Sequence, residues 1–150
     1  VVIGRQGRRL TPTEAETVIA GYSIMNDVTE GGLVRKDVPR GLPWMRSKSM
    51  DTFAPFGPCI VTPDEIGWPV ALDIELRING RRAQSDNTAN MLFSVPQLLA
   101  YISQTITLEP GDVITTGTPG GLEPVRPGDI VEITIEKIGT LRNPVVAEGL

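Results

Sequence analysis

A chain of 150 residues has room for one hydrophobic core and one domain. Hydrophobic residues at 40% and charged residues at 21% give the balance expected of a soluble globular domain. No apolar stretch reaches the roughly 20 residues of a membrane-spanning helix. Fourteen Lys and Arg against eighteen Asp and Glu leave a net charge of −4, with no basic field to attract a nucleic acid.

The sequence contains no histidine, so by itself it offers no Ser-His-Asp or Cys-His site and no His-rich zinc site. Its chemistry falls to carboxylates, lysine, hydroxyls and backbone amides, and a metal would be a hard, oxygen-liking ion. The single Cys59 cannot close a disulfide within the chain. The expectation is a cytoplasmic protein, with Cys59 a small core residue in the apolar run Pro58-Cys59-Ile60-Val61.

Sixteen glycines and thirteen prolines imply many turns and short strands. Val1-Val2-Ile3-Gly4 reads as the second half of a strand already under way, which suggests a fragment; the strand is expected over 1–6. Thr13 is a candidate N-cap, with Glu14 and Glu16 favouring the helix dipole and Ala15, Val18 and Ile19 forming a stripe that ends near Gly21. Residues 22–28 should form a strand that delivers Asn26 and Asp27. Residues 30–43 combine Gly31-Gly32, two prolines and mixed charge without apolar period, the marks of a flexible loop or lid.

From Asp73 the pattern alternates: Ile74, Leu76 and Ile78 face one way, Asp73, Glu75 and Arg77 the other, and Asn79-Gly80 signals a hairpin. Ser94 and Pro96 open a second helix through Leu98, Leu99, Tyr101 and Ile102. Glu109-Pro110-Gly111-Asp112 and Arg126-Pro127-Gly128-Asp129 have the Pro-Gly order of type II turns. Strands over 130–137 and 140–146 should turn Val131, Ile133 and Ile135 inward. The fold class is mainly β with two short helices.

Three places could carry chemistry. Asp27 ends a strand, as a rigidly held carboxylate or a turn aspartate. Lys48, beyond Trp44, could be an acid, base or anion partner, or a solvated lysine. Thr115-Thr116-Gly117-Thr118-Pro119-Gly120-Gly121 offers amides and hydroxyls to a carboxylate, or is a plain Gly-rich loop.

Taken in order, Gly21-Tyr22-Ser23-Ile24-Met25-Asn26-Asp27-Val28-Thr29, Lys48-Ser49, Asp51-Thr52-Phe53-Ala54-Pro55, and Gly57-Pro58 strongly resemble the fumarylacetoacetate hydrolase superfamily. The resemblance continues through Ile78-Asn79-Gly80, Gln84, Met91-Leu92-Phe93-Ser94, Tyr101-Ile102-Ser103, Leu108-Glu109-Pro110-Gly111-Asp112-Val113-Ile114 and Thr116-Gly117-Thr118-Pro119, over nearly the whole chain. It implies a mixed β-roll, usually a homodimer. Mg²⁺, or Mn²⁺ or Ca²⁺, would be held by three acidic residues and chelate a 2-oxo or 1,3-diketo acid. Hydrolysis of a C–C bond, decarboxylation and isomerisation all develop enolate charge that such an ion stabilises.

By this resemblance Asp27 is one metal carboxylate, Lys48 the active-site lysine, and Thr118 with Gly117 the substrate-binding loop. The other two carboxylates, a Glu-x-Glu pair, are expected upstream of Val1, as is the histidine that activates water in hydrolases of the family. Gly31 and Val34 stand where some members have Arg and Gln that contact substrate. The leading expectation is a metal-dependent hydrolase of a small diketo or 2-oxo dicarboxylic acid, with residues 1–150 as a catalytic domain incomplete at its N-terminus. The alternatives are an isomerase or decarboxylase of the family, acting on 2-hydroxy-2,4-dienedioate-type substrates, and a truncated non-catalytic member. Asp27, Lys48 and Thr118 are expected to line one concave site.

Overall fold

Clean apolar and polar alternation in the second half of the chain builds the larger of two sheets. In the computed structural model, which describes residues 1–149, strands β4 (Asp73–Ile78) and β5 (Arg81–Asn87) form the expected hairpin. Asn79 and Gly80 both take positive φ, 53° and 78°, as a type I′ connection requires. On the other side of β4 lies β6 (Ile130–Ile135), with Ile74 opposite Ile135 and Ile78 opposite Val131, and β7 (Gly139–Pro144) completes the order β5-β4-β6-β7.

The smaller sheet has the order β1-β2-β3, from β1 (Val2–Ile3), β2 (Ile19–Met25) and β3 (Phe56–Val61). All pairs of named strands are antiparallel. The core joins the two sheets: Tyr22 and Ile24 from β2 and Val61 from β3 belong to the same buried cluster as Val131, Ile133 and Leu141. Burying these side chains is the main favourable term in holding the layers together.

Helix α1 (Pro12–Glu16) packs on α4 (Val95–Ser103), and Ala15 and Leu99 have no exposed surface. α1 is capped by Thr11 and not by Thr13. Thr11 and Glu14 have the reciprocal spacing of a capping box: the Glu14 N–H donates to Thr11 Oγ1 (3.3 Å) and the Thr11 N–H to Glu14 Oε2 (2.8 Å). The helix stops at Glu16, so Ile19 starts β2 and does not continue a helical stripe. Ser94 opens α4 as expected, in a capping box with Gln97.

Two further helices were not anticipated, making four short ones among the described residues. α2 (Gly31–Asp37) replaces the expected loop, and α3 (Pro63–Ile66) is a single turn. α2 starts because the Glu30 carboxylate accepts the N–H groups of Gly32 (3.0 Å) and Leu33. Such a cap leaves no trace in apolar periodicity.

The matched turns are present, with the Asp112 N–H donating to Glu109 O and the Asp129 N–H to Arg126 O, each at 3.0 Å. The strand expected over 1–6 shortens to β1, followed by a bridge between Gly7 and Leu108. Cys59 is exposed, contrary to the core expectation. It lies on β3, the edge of its sheet, where the register against β2 shifts and the run 58–60 turns outward. Among the described residues no helix is long and apolar enough to cross a membrane.

Candidate active site

β2 leads straight to the first candidate. It ends at Met25; the Asn26 N–H then donates to Pro55 O (3.0 Å), which leaves the Asp27 carboxylate exposed just past the strand. Lys48 arrives from a different direction, as the residue closing a 3-10 turn over Trp44–Ser47. Its ammonium forms an ion pair with Asp27 Oδ2 and donates to Thr29 Oγ1 at 3.0 Å. The Trp44 ring centroid lies 5.7 Å from the same nitrogen, within cation-π range. Lys48 is half-buried, its side chain 28% exposed against 44% for Asp27. The lysine is engaged, and the aspartate is its partner.

Sequence reasoning missed the residues behind this pair. Asp37, at the end of α2, is fully buried and accepts two hydrogen bonds from Arg46, Nε to Oδ2 at 2.5 Å and Nη2 to Oδ1 at 2.8 Å. The Arg46 guanidinium holds the Asp37 carboxyl below the usual carboxylate range. Ser47 is equally buried; its hydroxyl donates to Trp44 O (2.5 Å) and its carbonyl accepts the Glu30 N–H (2.9 Å). The signal lay in opposite charges nine positions apart around a Gly-Leu-Pro bend, which only a folded backbone brings together.

Thr118 is anchored elsewhere. It is exposed in the irregular run after Ile114, and its hydroxyl donates to Gln84 Oε1 on β5 at 3.3 Å. Gln84 Nε2 donates to Pro119 O at 2.8 Å, so one buried amide holds two consecutive residues of the loop. Gly117 beside it takes φ 104°. Asp27 and Lys48 are thus brought together, and the hydrogen bonds of Thr118 run to the larger sheet instead. Two surface concavities, of about 600 and 380 Å³, are lined by other residues and include none of Asp27, Lys48, Gly117 and Thr118.

Among the described residues no three Asp, Glu, Cys or His side chains are grouped to hold a metal ion. Asp27 is one carboxylate with an ammonium already on it. A divalent cation of the magnesium or calcium type needs more oxygen donors, so these residues alone do not make a metal site. The strand register adds a geometric fact. Val2 lies opposite Gly21 and Ile3 opposite Ile19, so the Val1 end of β1 points the way β2 runs, towards Met25 and Asp27.

The family model described as Fumarylacetoacetate (FAA) hydrolase C-terminal matches residues 1–146. The chain belongs to the fumarylacetoacetate hydrolase family. Among its relatives in that family, 2,4-didehydro-3-deoxy-L-rhamnonate hydrolase of Sphingomonas sp. (strain SKA58) is 46% identical over 153 residues, covering 97% of this chain and 53% of that protein. The crystal structure of 5-carboxymethyl-2-hydroxymuconate delta-isomerase from Mycobacterium smegmatis superposes with a TM-score of 0.91 at 43% identity, covering 99% of this chain and 57% of the other. Fumarylpyruvate hydrolase from Pseudomonas aeruginosa, in complex with Mn²⁺ and pyruvate, gives 0.92 at 31% identity, covering 98% and 63%. The chain spans little more than half the length of such family members, and the mainly β reading of the sequence agrees with their fold.

Proposed function

We propose that the chain is the catalytic portion of an enzyme that hydrolyses a carbon–carbon bond in a small 2-oxo or 1,3-diketo dicarboxylic acid. The observation that carries this reading is the Lys48 ammonium held between Asp27 and Thr29, on a family member matched from residue 1 to residue 146. In such a cleavage water supplies hydroxyl to the acyl carbon and a proton to the carbon that leaves as an enolate. An ammonium at Lys48 suits both needs there, as a positive charge beside the enolate oxygen and as a proton donor. Thr118 and Gly117 are read as the contact for a substrate carboxylate, which requires their loop to face the same site.

A divalent cation belongs to this reading, with Mg²⁺ preferred and Mn²⁺ or Ca²⁺ as substitutes. Support comes from the Mn²⁺ and pyruvate bound in the Pseudomonas aeruginosa fumarylpyruvate hydrolase. Asp27 would be one ligand. The others would come from residues preceding Val1 in a longer chain, which the β1 register would carry alongside β2 towards Asp27. The cation would supply positive charge that favours the enolate, with Asp27 as one of the residues that would hold it.

The isomerase or decarboxylase branch is the second reading. It is favoured by the likeness to the Mycobacterium smegmatis delta-isomerase. A panel of diketo and 2-hydroxydienedioic acids separates the branches: a pyruvate-like product supports hydrolysis, CO₂ decarboxylation, a shifted double bond isomerisation. Calorimetric titration of the full-length protein with Mg²⁺ and Mn²⁺ tests the metal. No binding together with no turnover leaves the non-catalytic alternative.

Assembly as a homodimer and a cytoplasmic location complete the proposal. Exposed Leu92, Phe93 and Tyr101 around α4 offer apolar surface for a second copy. Sedimentation as a monomer at micromolar concentration would sink the dimer.

A further inference from the structure

We infer that Asp37 is a positioning residue for Lys48, acting through Arg46; this rests on Lys48 being the active-site lysine. A carboxylate with no exposed surface must be paired and hydrogen-bonded, and Asp37 receives both from one guanidinium. Two parallel N–H···O bonds fix the plane and the direction of an arginine side chain, which a single point charge does not. Arg46 stands two residues before Lys48 in the same turn, so fixing its backbone fixes where the Lys48 side chain begins.

The turn is gripped at both ends of α2. At the N-terminal end the Glu30 N–H holds Ser47 O while the Glu30 carboxylate folds back to cap the helix. Gly32 permits that fold: a Cβ there would stand 2.9 Å from Glu30 Oε1. At the C-terminal end Asp37 holds Arg46. The stretch from Asp27 to Thr29, where the Lys48 ammonium lands, runs directly into Glu30. α2 therefore works as a brace of seven residues whose two ends set the turn against the carboxylate it serves. Losing the Arg46 fork frees one end and leaves Asp37 buried without a partner. A misplacement of about 1 Å in a reacting group costs on the order of 100-fold in rate.

The test uses full-length protein and the variants Arg46→Ala, Arg46→Lys, Asp37→Asn and Lys48→Ala. Two readouts are taken: kcat and KM on the acid turned over, and the rate at which trinitrobenzenesulfonate labels Lys48, located by peptide mass, with Lys36 and Lys137 as references. Arg46→Ala and Asp37→Asn should lower kcat on the order of 10- to 100-fold with little change in KM, and should speed labelling at Lys48 alone. Arg46→Lys, the mildest change, should recover part of kcat and part of the protection. Unchanged labelling and kcat in folded Asp37→Asn would overturn the inference, as would equal loss in Arg46→Lys and Arg46→Ala with all three lysines labelled faster. If Lys48→Ala keeps full turnover while the labelling pattern holds, the brace stands and the role of Lys48 falls.

Discussion

The Lys48 ammonium rests on the Asp27 carboxylate across 21 positions of sequence, with Thr29 as its second oxygen partner. Asp27 is nearly half exposed, and a pair so open to water contributes little to folding, less than about 1 kcal/mol. A double-mutant cycle with Asp27→Asn and Lys48→Met, followed by urea denaturation, should give a coupling energy below about 1 kcal/mol. A coupling of several kcal/mol would mark the pair as a structural element instead.

Asp37 behaves in the opposite way. Arg46 holds its carboxyl below the ordinary value of 3.8, so the ionised form is favoured in the folded protein. A depressed acid stabilises the fold fully above its unfolded value and loses that contribution as pH falls through the folded value. Thermal melts of wild type and Asp37→Asn should therefore differ most from neutral pH down to about 4, and converge in stronger acid. A gap that persists unchanged to pH 2 would show that shape, and not charge, is what Asp37 contributes.

Gly80 tests the larger sheet. Its φ of 78° is left-handed, and a Cβ would meet no atom within 4 Å, so Gly80→Ala isolates backbone strain from packing. The expected cost is about 1 kcal/mol in chemical denaturation, with the hairpin intact. A neutral result would mean the turn changes type without penalty.

The larger sheet was legible because its strands alternate, its hairpin uses Asn-Gly, and the turn before β6 places a glycine, Gly128, at φ 97°. Each of these signals is local. Asp27 and Lys48 were picked out one by one, but nothing in their spacing said that they pair. α2 was missed because its cap is a glutamate side chain folding onto two amides and its one buried residue is charged, so no apolar stripe announces it. Cys59 departs from expectation for a related reason: an apolar run reads as core, whereas an edge strand with a register shift turns such residues outward. Long-range polar contacts and edge positions are properties of the assembled sheet.

The contrast between Leu99 and Leu92 checks the packing. Leu99 has no exposed surface and sits where α4 meets the core, while Leu92 is 88% exposed. Leu99→Ala should destabilise by about 3 kcal/mol, and Leu92→Ala by less than about 0.5 kcal/mol in the monomer. If Leu92→Ala instead weakens self-association in sedimentation, the exposed surface near α4 is part of a dimer contact. Equal effects of both substitutions on unfolding would contradict the burial described.

Asp27, Lys48 and Thr118 make the last and most demanding prediction, because each is assigned a different task in one reaction. Asp27 is a prospective metal ligand, so Asp27→Ala in the full-length protein should lose both Mn²⁺ binding and turnover. On the proposed reading Lys48 acts on the substrate and not on the metal, so Lys48→Ala should abolish turnover and spare metal affinity; removal of the competing ammonium can only leave Asp27 more available. If Thr118 holds the substrate carboxylate as proposed, Thr118→Val should raise KM more than it lowers kcat. Gln84 anchors that hydroxyl and the next carbonyl, so Gln84→Met should reproduce part of the KM effect in wild type and have a smaller effect in the Thr118→Val background, where only its bond to Pro119 O remains to be lost. Steady-state kinetics paired with calorimetry distinguishes the three patterns. If Thr118→Val leaves KM and kcat as they were, the loop that Gln84 holds serves the larger sheet alone, and the substrate's carboxylate has its partner elsewhere.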